Sequence, residues 1–356
     1  PIDLFKKEKE LEKLLLGDSK LKVSQYCLGT MTFNKTNEVD SHNQIDFAID
    51  NDINFLDTAE MYPVNPISKD TIGITEEVIG SWLNKTKKRE SIILATKISG
   101  EGNLDIRGGE AISSDSLRRS IESSLRRLKT DYIDLYQLHW PNRGSYMFRK
   151  NWTFDPSKQV KENTVFHIED TLEELQKQIE IGNIRHFGLS NESAWGTSMW
   201  IQIAEKLGYP KVLSIQNEYS LLCRLFDTDL AELSVNENVT LLGFSPLAAG
   251  YLTGKYQNEK IPKGSRMSIN NTMGGRSSPR VLPATQEYIN IAKKYNLNPI
   301  HMALAWFKYR PFKAIPIFGA TNLDQLRTIV SGVDIELNKE ILDDISEVHK
   351  AHPMPY

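Results

Sequence analysis

Short apolar runs alternate along the chain with longer stretches in which apolar residues recur every three or four positions. The runs hold four to eight residues, mostly Val, Ile, Leu, Tyr or Phe, and are apolar almost throughout. This is typical of strands that are covered on both faces. We predict strands at 23–30, 53–58, 91–97, 132–139, 184–190, 212–217, 239–245 and 314–319. Amphipathic helices are predicted between them, including 115–128, 170–181 and 285–295.

Strands alternating with helices favour a (β/α)8 TIM barrel, and the alternative is an open doubly wound sheet. An open sheet that binds a dinucleotide normally carries a G-x-G-x-x-G fingerprint, which this sequence lacks. Before the first barrel strand, "LLLGDSKLKV" predicts a β-hairpin that turns at Gly17-Asp18 and plugs the bottom of the barrel. Two further helices are predicted after the last strand, in "LDQLRTIVSG" and "NKEILDDISEVHK".

Two segments depart from this alternation. Residues 1–12 form an N-terminal extension, and the opening "PIDLFKKEKELEKLLL" predicts a charged helix that is solvated on one side. Residues 140–168 are polar and aromatic without clear periodicity, and they predict a long loop over the active site. With these two segments included, we expect residues 1–356 to form a single barrel domain.

Composition narrows the class of protein. The chain has 356 residues, of which 40% are apolar, enough for a large core and too many for a disordered chain. Its net charge of -3 argues against a nucleic-acid binder, which needs a basic face. Cys27 and Cys223 show no metal-ligand spacing and are expected to be reduced thiols. Without a membrane-length apolar run or a signal peptide, we expect a cytoplasmic protein that holds no metal.

Three predicted strands end in titratable residues on their inward-facing side. Because alternate residues share a face, each residue ends a series: Asp57 follows Ile53 and Phe55, Lys97 follows Ile93 and Ala95, and His139 follows Leu135 and Gln137. Active sites of such barrels lie where the carboxyl ends of the strands meet. We therefore expect these three side chains to lie together, with Tyr62 on the loop directly after the second strand.

This set suits proton donation to an oxygen that gains negative charge. A free tyrosine has a pKa of about 10, and a nearby lysine ammonium lowers it. Asp57 would keep Lys97 charged and oriented, and a neutral His139 would hold a carbonyl oxygen. Each residue alone also has a structural interpretation: Asp57 as a helix cap, Lys97 as a solvated strand end, and His139 as a core histidine.

The sequence resembles the aldo-keto reductase superfamily, in particular its bacterial Tas-type branch, which is related to the potassium-channel β-subunits. The resemblance covers residues 12 to about 349. It rests on successive blocks in order: "LGTMTF" (28–33), "INFLDTAEMY" (53–62), "ILATKISG" (93–100), "DYIDLYQLHWP" (131–141), "GNIRHFGLSNES" (182–193), "SIQNEYSLL" (214–222), "GFSPLAAGYLTGKY" (243–256), "ALAWFKYRP" (303–311) and "IPIFGATNLDQL" (315–326).

The resemblance implies NADPH-dependent reduction of aldehydes or ketones. Tyr62 would be the general acid, with Asp57, Lys97 and His139 completing the catalytic set. Ser190, Asn191 and Gln216 would hold the nicotinamide, and Arg266 the 2′-phosphate. The residues that the resemblance assigns to the cofactor are Gly29, Thr30, Met31, Asp57, Ser190, Asn191, Gln216, Phe244, Ser245, Pro246, Leu247, Gly250, Lys255, Ser265, Arg266, Gly319, Thr321 and Gln325. No metal is implied.

The sequence departs from the family at Thr328-Ile329, where Glu-Asn usually contacts adenine, and at Phe244, where Tyr or Trp usually stacks. Three functions stay open. The first is carbonyl reduction, and the second is a cofactor-binding regulatory or redox-sensing module. The third, a phosphate-binding isomerase, would leave the nicotinamide contacts unexplained. Neither the substrate nor the oligomeric state follows from the sequence. The loop residues Tyr146, Met147, Phe148, Trp152 and Phe154 are either an apolar lid or packing within the loop.

Overall fold

A computed structural model of the chain describes residues 11–64 and 66–356. Within them, eight parallel strands close into a barrel, and an antiparallel hairpin precedes it. The hairpin strands are β1 (Lys13–Leu15) and β2 (Lys22–Ser24). The barrel strands are β3 (Cys27–Gly29), β4 (Phe55–Asp57), β5 (Ile93–Ile98), β6 (Ile133–Leu138), β7 (Ile184–Ser190), β8 (Ser214–Glu218), β9 (Thr240–Phe244) and β10 (Ala314–Phe318). The order is β10-β3-β4-β5-β6-β7-β8-β9, so the predicted (β/α)8 barrel is confirmed.

Helices follow the strands and cover the outside of the barrel. Their bounds are α1 (Glu38–Asp50), α2 (Ile74–Thr86), α3 (Ser114–Leu128), α4 (Lys161–Glu180), α5 (Ala194–Leu207), α6 (Asp229–Glu237), α7 (Arg266–Ile269), α8 (Val281–Lys294), α9 (Pro299–Ala305), α10 (Leu323–Val330) and α11 (Lys339–Ala351). The helices α10 and α11 are the two that were predicted after the last strand. Among the described residues, no helix combines the length and apolar character needed to cross a membrane.

Several helices begin where a side-chain cap replaces the missing backbone partner. Ser113 and Ser193 accept hydrogen bonds from the first-turn amides of α3 and α5, and Asn322 and Asn338 do the same for α10 and α11. Such caps satisfy backbone N–H groups that have no partner inside the helix. They fix where each helix starts relative to the strand before it.

Alternation along the strands separates two apolar cores. Phe55, Ala95 and Leu135 point into the barrel and form one buried cluster. Their neighbours, such as Leu56, belong to the larger cluster between strands and helices. Ile53, predicted to share the inward face, is buried in that outer cluster instead, because β4 begins only at Phe55.

The hairpin closes the bottom of the barrel, as predicted. Leu16 and Val23 are fully buried in the interior cluster together with inward-facing residues of the barrel strands. Gly17 has a positive φ of 51°, and a Cβ there would lie 2.7 Å from the carbonyl oxygen of Leu213. A glycine at the turn therefore allows the hairpin to approach the strands closely.

Two predictions near the N-terminus are wrong in part. Residues 23–30 are not one strand, because Ser24 donates to the carbonyl of Tyr26 at 2.6 Å and the chain bends between β2 and β3. The predicted N-terminal helix does not extend to residue 16, since Lys13–Leu15 pair with β2. The part of that prediction before residue 11 lies outside the described residues.

The long loop after β6 is shorter than predicted, because α4 begins at Lys161 and not near residue 170. Ile168 and Thr164 continue the buried face of this helix one and two turns before Leu172. The prediction missed these turns because Asn, Thr, Val and His are weak helix formers, although tertiary burial of Thr164 and Ile168 outweighs that preference. The loop therefore spans residues 139–160.

Candidate active site

Asp57, Lys97 and Tyr62 form a contiguous hydrogen-bonded group at the carboxyl end of the barrel. Asp57 ends β4, and Lys97 lies near the end of the neighbouring strand β5. The Lys97 ammonium lies 2.6 Å from Asp57 Oδ2, 2.8 Å from the carbonyl of Thr58 and 3.3 Å from the Tyr62 hydroxyl. Lys97 is completely buried and Asp57 is 2% exposed. The structure thus places the amine against the phenol, as the strand-end pattern predicted.

His139 completes the group from the residue after β6. Its ring meets the ring of Tyr62 edge-on, with centroids 6.1 Å apart. Burial, with a further contribution from Lys97, holds the pKa of His139 well below its usual value. The imidazole is therefore neutral at physiological pH. Its Nδ1 atom is buried and has no hydrogen-bond partner among the described residues.

Two glutamines hold the other oxygen of Asp57. Gln137 on β6 donates its amide to Asp57 Oδ1 at 2.9 Å, and Gln216 on β8 donates to the same oxygen at 3.0 Å. Gln216 also donates to the side-chain oxygen of Gln137 at 2.8 Å. The carboxylate is thereby fixed from both sides of the barrel. The sequence pattern placed Gln137 on the inward face but assigned it no role.

Glu60 anchors the turn that carries Tyr62, and sequence reasoning missed it. It is 4% exposed, accepts a hydrogen bond from the backbone N–H of Ser99 at 2.7 Å, and also contacts Ser120 Oγ on α3 and the guanidinium of Arg107. The backbone N–H of Glu60 donates to the carbonyl of Lys97 at 3.2 Å. These contacts attach the Tyr62 turn to β5, the strand of Lys97.

The pKa values of Tyr62 and Lys97 are both shifted from their usual values. Burial raises the pKa of Tyr62 above its usual value, and the ammonium of Lys97 lowers it without reversing the sign. Burial alone would lower the pKa of Lys97, but Asp57 outweighs it and raises that pKa. The phenol is therefore protonated and the amine charged. Lys97 lowers the pKa of Tyr62, as predicted, but the effect of burial is larger, so this pKa stays above its usual value.

Ser190, Asn191 and Gln216 meet beside this group, as predicted. Ser190 donates its hydroxyl to the carbonyl of Gln216 at 2.8 Å, and Asn191 donates its amide to the carbonyl of His139 at 2.9 Å. Asn191 has a positive φ of 51°, a conformation in which asparagine is enriched. Its Oδ1 is buried without a partner in the described chain, so an acceptor is directed into the site.

The remaining predicted cofactor residues lie on the loops after β9, β10 and β3. After Phe244, the backbone is left-handed at Ser245, Ala248, Ala249 and Gly250. A Cβ at Gly250 would lie 2.7 Å from Cε of Lys255, so only glycine allows the lysine this close. Between the neighbouring strands β10 and β3, the nearest atom to a Cβ at Gly319 would be the carbonyl oxygen of Gly29. Thr30 donates to the carbonyl of Asp57 at 2.8 Å.

Arg266 lies beside Met31, close enough to Tyr62 for its charge to act on the phenol. Its guanidinium contacts Met31 Sδ at 3.8 Å, and its charge contributes to the pKa of Tyr62. In the part of the chain that is described, it makes no ion pair with a carboxylate. The preceding Ser265 carries a buried hydroxyl without a partner. The two side chains together offer unused donors for an anion.

Of the residues expected near the adenosine of the cofactor, Thr321 and Gln325 are exposed, and Ile329 is buried in the outer core. The backbone N–H of Thr321 donates to the side-chain oxygen of Gln325 at 3.0 Å, and both residues are exposed. Ile329, at the position of the departure from the family, is only 5% exposed and packs in the outer core. Thr328 donates its hydroxyl to the carbonyl of Asp324 at 3.1 Å. Ile329 thus contributes to the core.

The loop 139–160 brings aromatic residues beside His139. Trp140 lies 4.9 Å from the His139 ring and contacts Phe148 edge-on at 6.1 Å. The indole N–H of Trp140 donates to the carbonyl of Glu101 at 3.1 Å. Tyr146 packs on Phe154 at 5.6 Å, away from this pair, while Met147 is 2% exposed and Trp152 is 58% exposed. The aromatic residues of the loop therefore form separate pairs and not one cluster.

The chain belongs to the aldo/keto reductase family, whose model matches residues 26–350. It is 41% identical over 344 residues to "Protein tas" of Escherichia coli (strain K12), covering 95% of this chain and 97% of that protein. It is 30% identical over 352 residues to "Uncharacterized oxidoreductase YrpG" of Bacillus subtilis (strain 168), covering 95% and 96%.

A plant protein extends the comparison to the channel-associated branch. The chain is 28% identical over 349 residues to "Probable voltage-gated potassium channel subunit beta" of Arabidopsis thaliana, covering 95% of this chain and 96% of that protein. The predicted resemblance to the Tas-type branch and its relation to the potassium-channel β-subunits are both confirmed. Membership in the family supports an oxidoreductase that acts on carbonyl compounds with a nicotinamide cofactor.

Proposed function

We propose that this protein reduces aldehydes or ketones to alcohols with NADPH, and that Tyr62 is the general acid. The observation that carries the proposal is the 3.3 Å contact between the Lys97 amine and the Tyr62 hydroxyl, with the amine held by Asp57 at 2.6 Å. The phenol is protonated, and the fixed ammonium stabilises the phenolate that forms when Tyr62 gives its proton to an oxygen that becomes negative. When bound, the reduced nicotinamide supplies two electrons and one hydrogen to the carbonyl carbon.

The chain's own residues divide the remaining work. Tyr62 transfers its proton to the former carbonyl oxygen, and the ammonium of Lys97 stabilises the phenolate that is left. Neutral His139 donates a hydrogen bond to the same oxygen and orients it. Asp57, fixed by Gln137 and Gln216, keeps Lys97 charged and in place. Such a positioned acid contributes about 10²–10⁴-fold in rate.

Three features support a nicotinamide dinucleotide phosphate as the cofactor. No described residue donates to the buried Oδ1 of Asn191, and the carboxamide of a nicotinamide provides such a donor. The backbone turn from Ser245 to Gly250, with four residues of positive φ and Lys255 beside it, suits a pyrophosphate. Among the described residues, the Arg266 guanidinium pairs with no carboxylate and the Ser265 hydroxyl has no partner, so both suit a further phosphate group, which favours NADPH over NADH.

Cofactor titration followed by turnover tests the proposal. Purified protein is titrated with NADPH and with NADH, and the loss of cofactor absorbance is then followed with a panel of aldehydes and ketones. We expect tighter binding of NADPH and its oxidation by at least one carbonyl compound. Tight binding without oxidation by any compound would favour the second candidate, a regulatory module, which the similarity to the Arabidopsis channel-subunit sequence raises.

Arg266 gives a separate test of cofactor preference. Arg266→Ala is expected to weaken NADPH binding and leave NADH binding unchanged, because only NADPH carries the 2′-phosphate. Arg280→Ala, at an exposed arginine whose guanidinium lies over Trp152, is the matched control. An unchanged ratio of NADPH to NADH affinity in Arg266→Ala would refute this assignment.

We also propose that residues 1–356 act as one domain in the cytoplasm. Cys27 and Cys223 are both free and buried, which is compatible with a reducing compartment. A small carbonyl compound is the proposed partner, and neither a nucleic acid nor a resident metal is part of the proposal.

A further inference from the structure

Glu218 is a buried carboxylate that lies outside the catalytic group but on the same inward face of β8 as Gln216. It is 2% exposed and ends the strand. Its Oε1 lies 2.6 Å from Nε of Arg276, and its Oε2 lies 2.9 Å from Nη1 of Arg149. One carboxylate therefore binds two guanidinium groups, and such charge-assisted hydrogen bonds are stronger than neutral ones.

The two arginines come from the two loops that border the site. Arg149 lies in the loop 139–160, and Arg276 lies in the segment between α7 and α8. Arg149 also donates Nε to the carbonyl of Gly274 at 2.7 Å, so it contacts the second loop directly. Gly274 and Gly275 have positive φ, and a Cβ on either would lie 3.4 Å from atoms of Arg149. The loops are thus closely packed at this point.

The second loop is connected in turn to the proposed cofactor cradle. Arg276 is 3% exposed and donates Nη2 to the hydroxyl of Ser245 at 3.2 Å. Phe244, the residue before Ser245, is paired in register with Glu218 across β8 and β9. A chain of contacts therefore runs from the loop 139–160 through Glu218 and Arg276 to Ser245.

We propose that Glu218 is a positioning residue that couples the loop 139–160 beside His139 to the cofactor cradle at Ser245. This inference rests on the proposed function, because it takes Ser245 to contact the cofactor. When the carboxylate is removed, the two guanidinium groups repel each other and both loops lose their common anchor. Because Glu218 joins the two loops, a change in either arginine affects the other loop. Loss of Arg149 weakens cofactor binding at Ser245, and loss of Arg276 weakens binding of the carbonyl compound beside His139.

Reciprocal variants test the coupling in the full-length protein. Titration of Arg149→Met with NADPH is expected to show a dissociation constant at least about fivefold above wild type, the low end of coupling between sites. Steady-state kinetics of Arg276→Met are expected to show a raised KM for the carbonyl compound and a smaller change in kcat. In a Glu218→Gln background, Arg149→Met is expected to add little, because the shared anchor is already lost.

Tyr356→Phe is the matched control. The Tyr356 hydroxyl lies 3.3 Å from Glu218 Oε1, so this variant alters the environment of Glu218 but removes neither guanidinium. It is expected to keep the wild-type dissociation constant and KM. An unchanged NADPH dissociation constant in Arg149→Met, with a folded protein by thermal melting, would overturn the proposal.

Limited proteolysis without cofactor separates this inference from the proposed function. Trypsin is expected to cut Arg276→Met faster than wild type at Lys150 and Lys158, which lie on the other loop. Should Arg276→Met not fold, Arg149→Met is expected to be cut faster at Arg280, an exposed residue in the segment between α7 and α8. Equal cleavage rates in a folded variant and wild type would show that the loops are not coupled. Failure of wild type to bind any nicotinamide cofactor would instead refute the proposed function, whatever the cleavage pattern.

Discussion

The amine of Lys97 lies 3.3 Å from the hydroxyl of Tyr62, and the two residues are joined through strand β5 and the turn after β4. The ammonium also lies 4.8 Å from the centre of the Tyr62 ring. Because Asp57 binds the same amine and Lys97 is fully buried, the ammonium is held next to the phenol and away from solvent. This relationship determines how the site responds to pH.

Lys97→Met is expected to move the basic limb of the pH profile for carbonyl reduction to higher pH. Lys97 lowers the pKa of Tyr62 against the larger effect of burial, so its loss raises that pKa further and makes the phenol a weaker acid. The rate is expected to fall by about 10²-fold or more. The measurement is kcat/KM against pH, normalised to the folded fraction, because Asp57 is left buried without its partner.

Lys177→Met serves as the control for Lys97→Met. Lys177 pairs with Glu173 on the exposed face of α4, far from any proposed catalytic contact, and its side chain is 56% exposed. It is expected to leave both the rate and the pH profile unchanged. A basic limb at the same pH in Lys97→Met and wild type would contradict the role given to the ammonium.

Glu60→Gln is expected to lower kcat more than it weakens cofactor binding. The neutral side chain loses its ion pair with Arg107, so the turn that positions Tyr62 against β5 is held less firmly. Unfolding free energy is expected to fall by about 3 kcal/mol, as for other buried pairs that lose one partner. Steady-state kinetics, cofactor titration and chemical denaturation measure the three quantities.

Glu110→Gln provides the comparison for Glu60→Gln, because Glu110 also pairs with Arg107, at 3.1 Å, but is 36% exposed in its side chain. It is expected to retain nearly full activity. If Glu60→Gln kept the parent kcat while losing stability, Glu60 would support the fold only and not the position of Tyr62.

Leu16→Ala is expected to destabilise the barrel without altering its chemistry. Leu16 is fully buried at the bottom of the barrel, and truncation there leaves a cavity worth about 2–5 kcal/mol of unfolding free energy. The adjacent Leu15 is 47% exposed, so Leu15→Ala is the control and is expected to cost far less. Denaturant unfolding compares the two. Equal losses would mean that the hairpin does not plug the barrel.

The strand ends of this fold were predictable because side chains alternate along a strand and the carboxyl ends of parallel strands converge. That rule placed Asp57, Lys97 and His139 together from the sequence alone, and Tyr62 followed from its position in the next loop. The rule worked because each strand lies in a continuous apolar run that can be recognised in the sequence. It was wrong at Ile53, where the strand starts later than the apolar run.

Contacts between distant segments were not predictable in the same way. Glu60 meets Ser120 of α3, and Glu218 meets Arg149 and Arg276, yet no local pattern joins these positions. The part of α4 from Lys161 to Glu169 was missed because most of its central residues are weak helix formers that are held by burial. The net pKa of Tyr62 also depends on burial, which the identity of neighbouring residues does not determine.

Tyr62→Phe tests the central claim most directly, because it removes a single hydroxyl from the site. The variant is purified, titrated with NADPH and assayed with the best carbonyl substrate of the wild type. We predict wild-type affinity for the cofactor and a loss of at least about 10²-fold in kcat. Reduction at the parent rate by the phenylalanine variant would contradict the account.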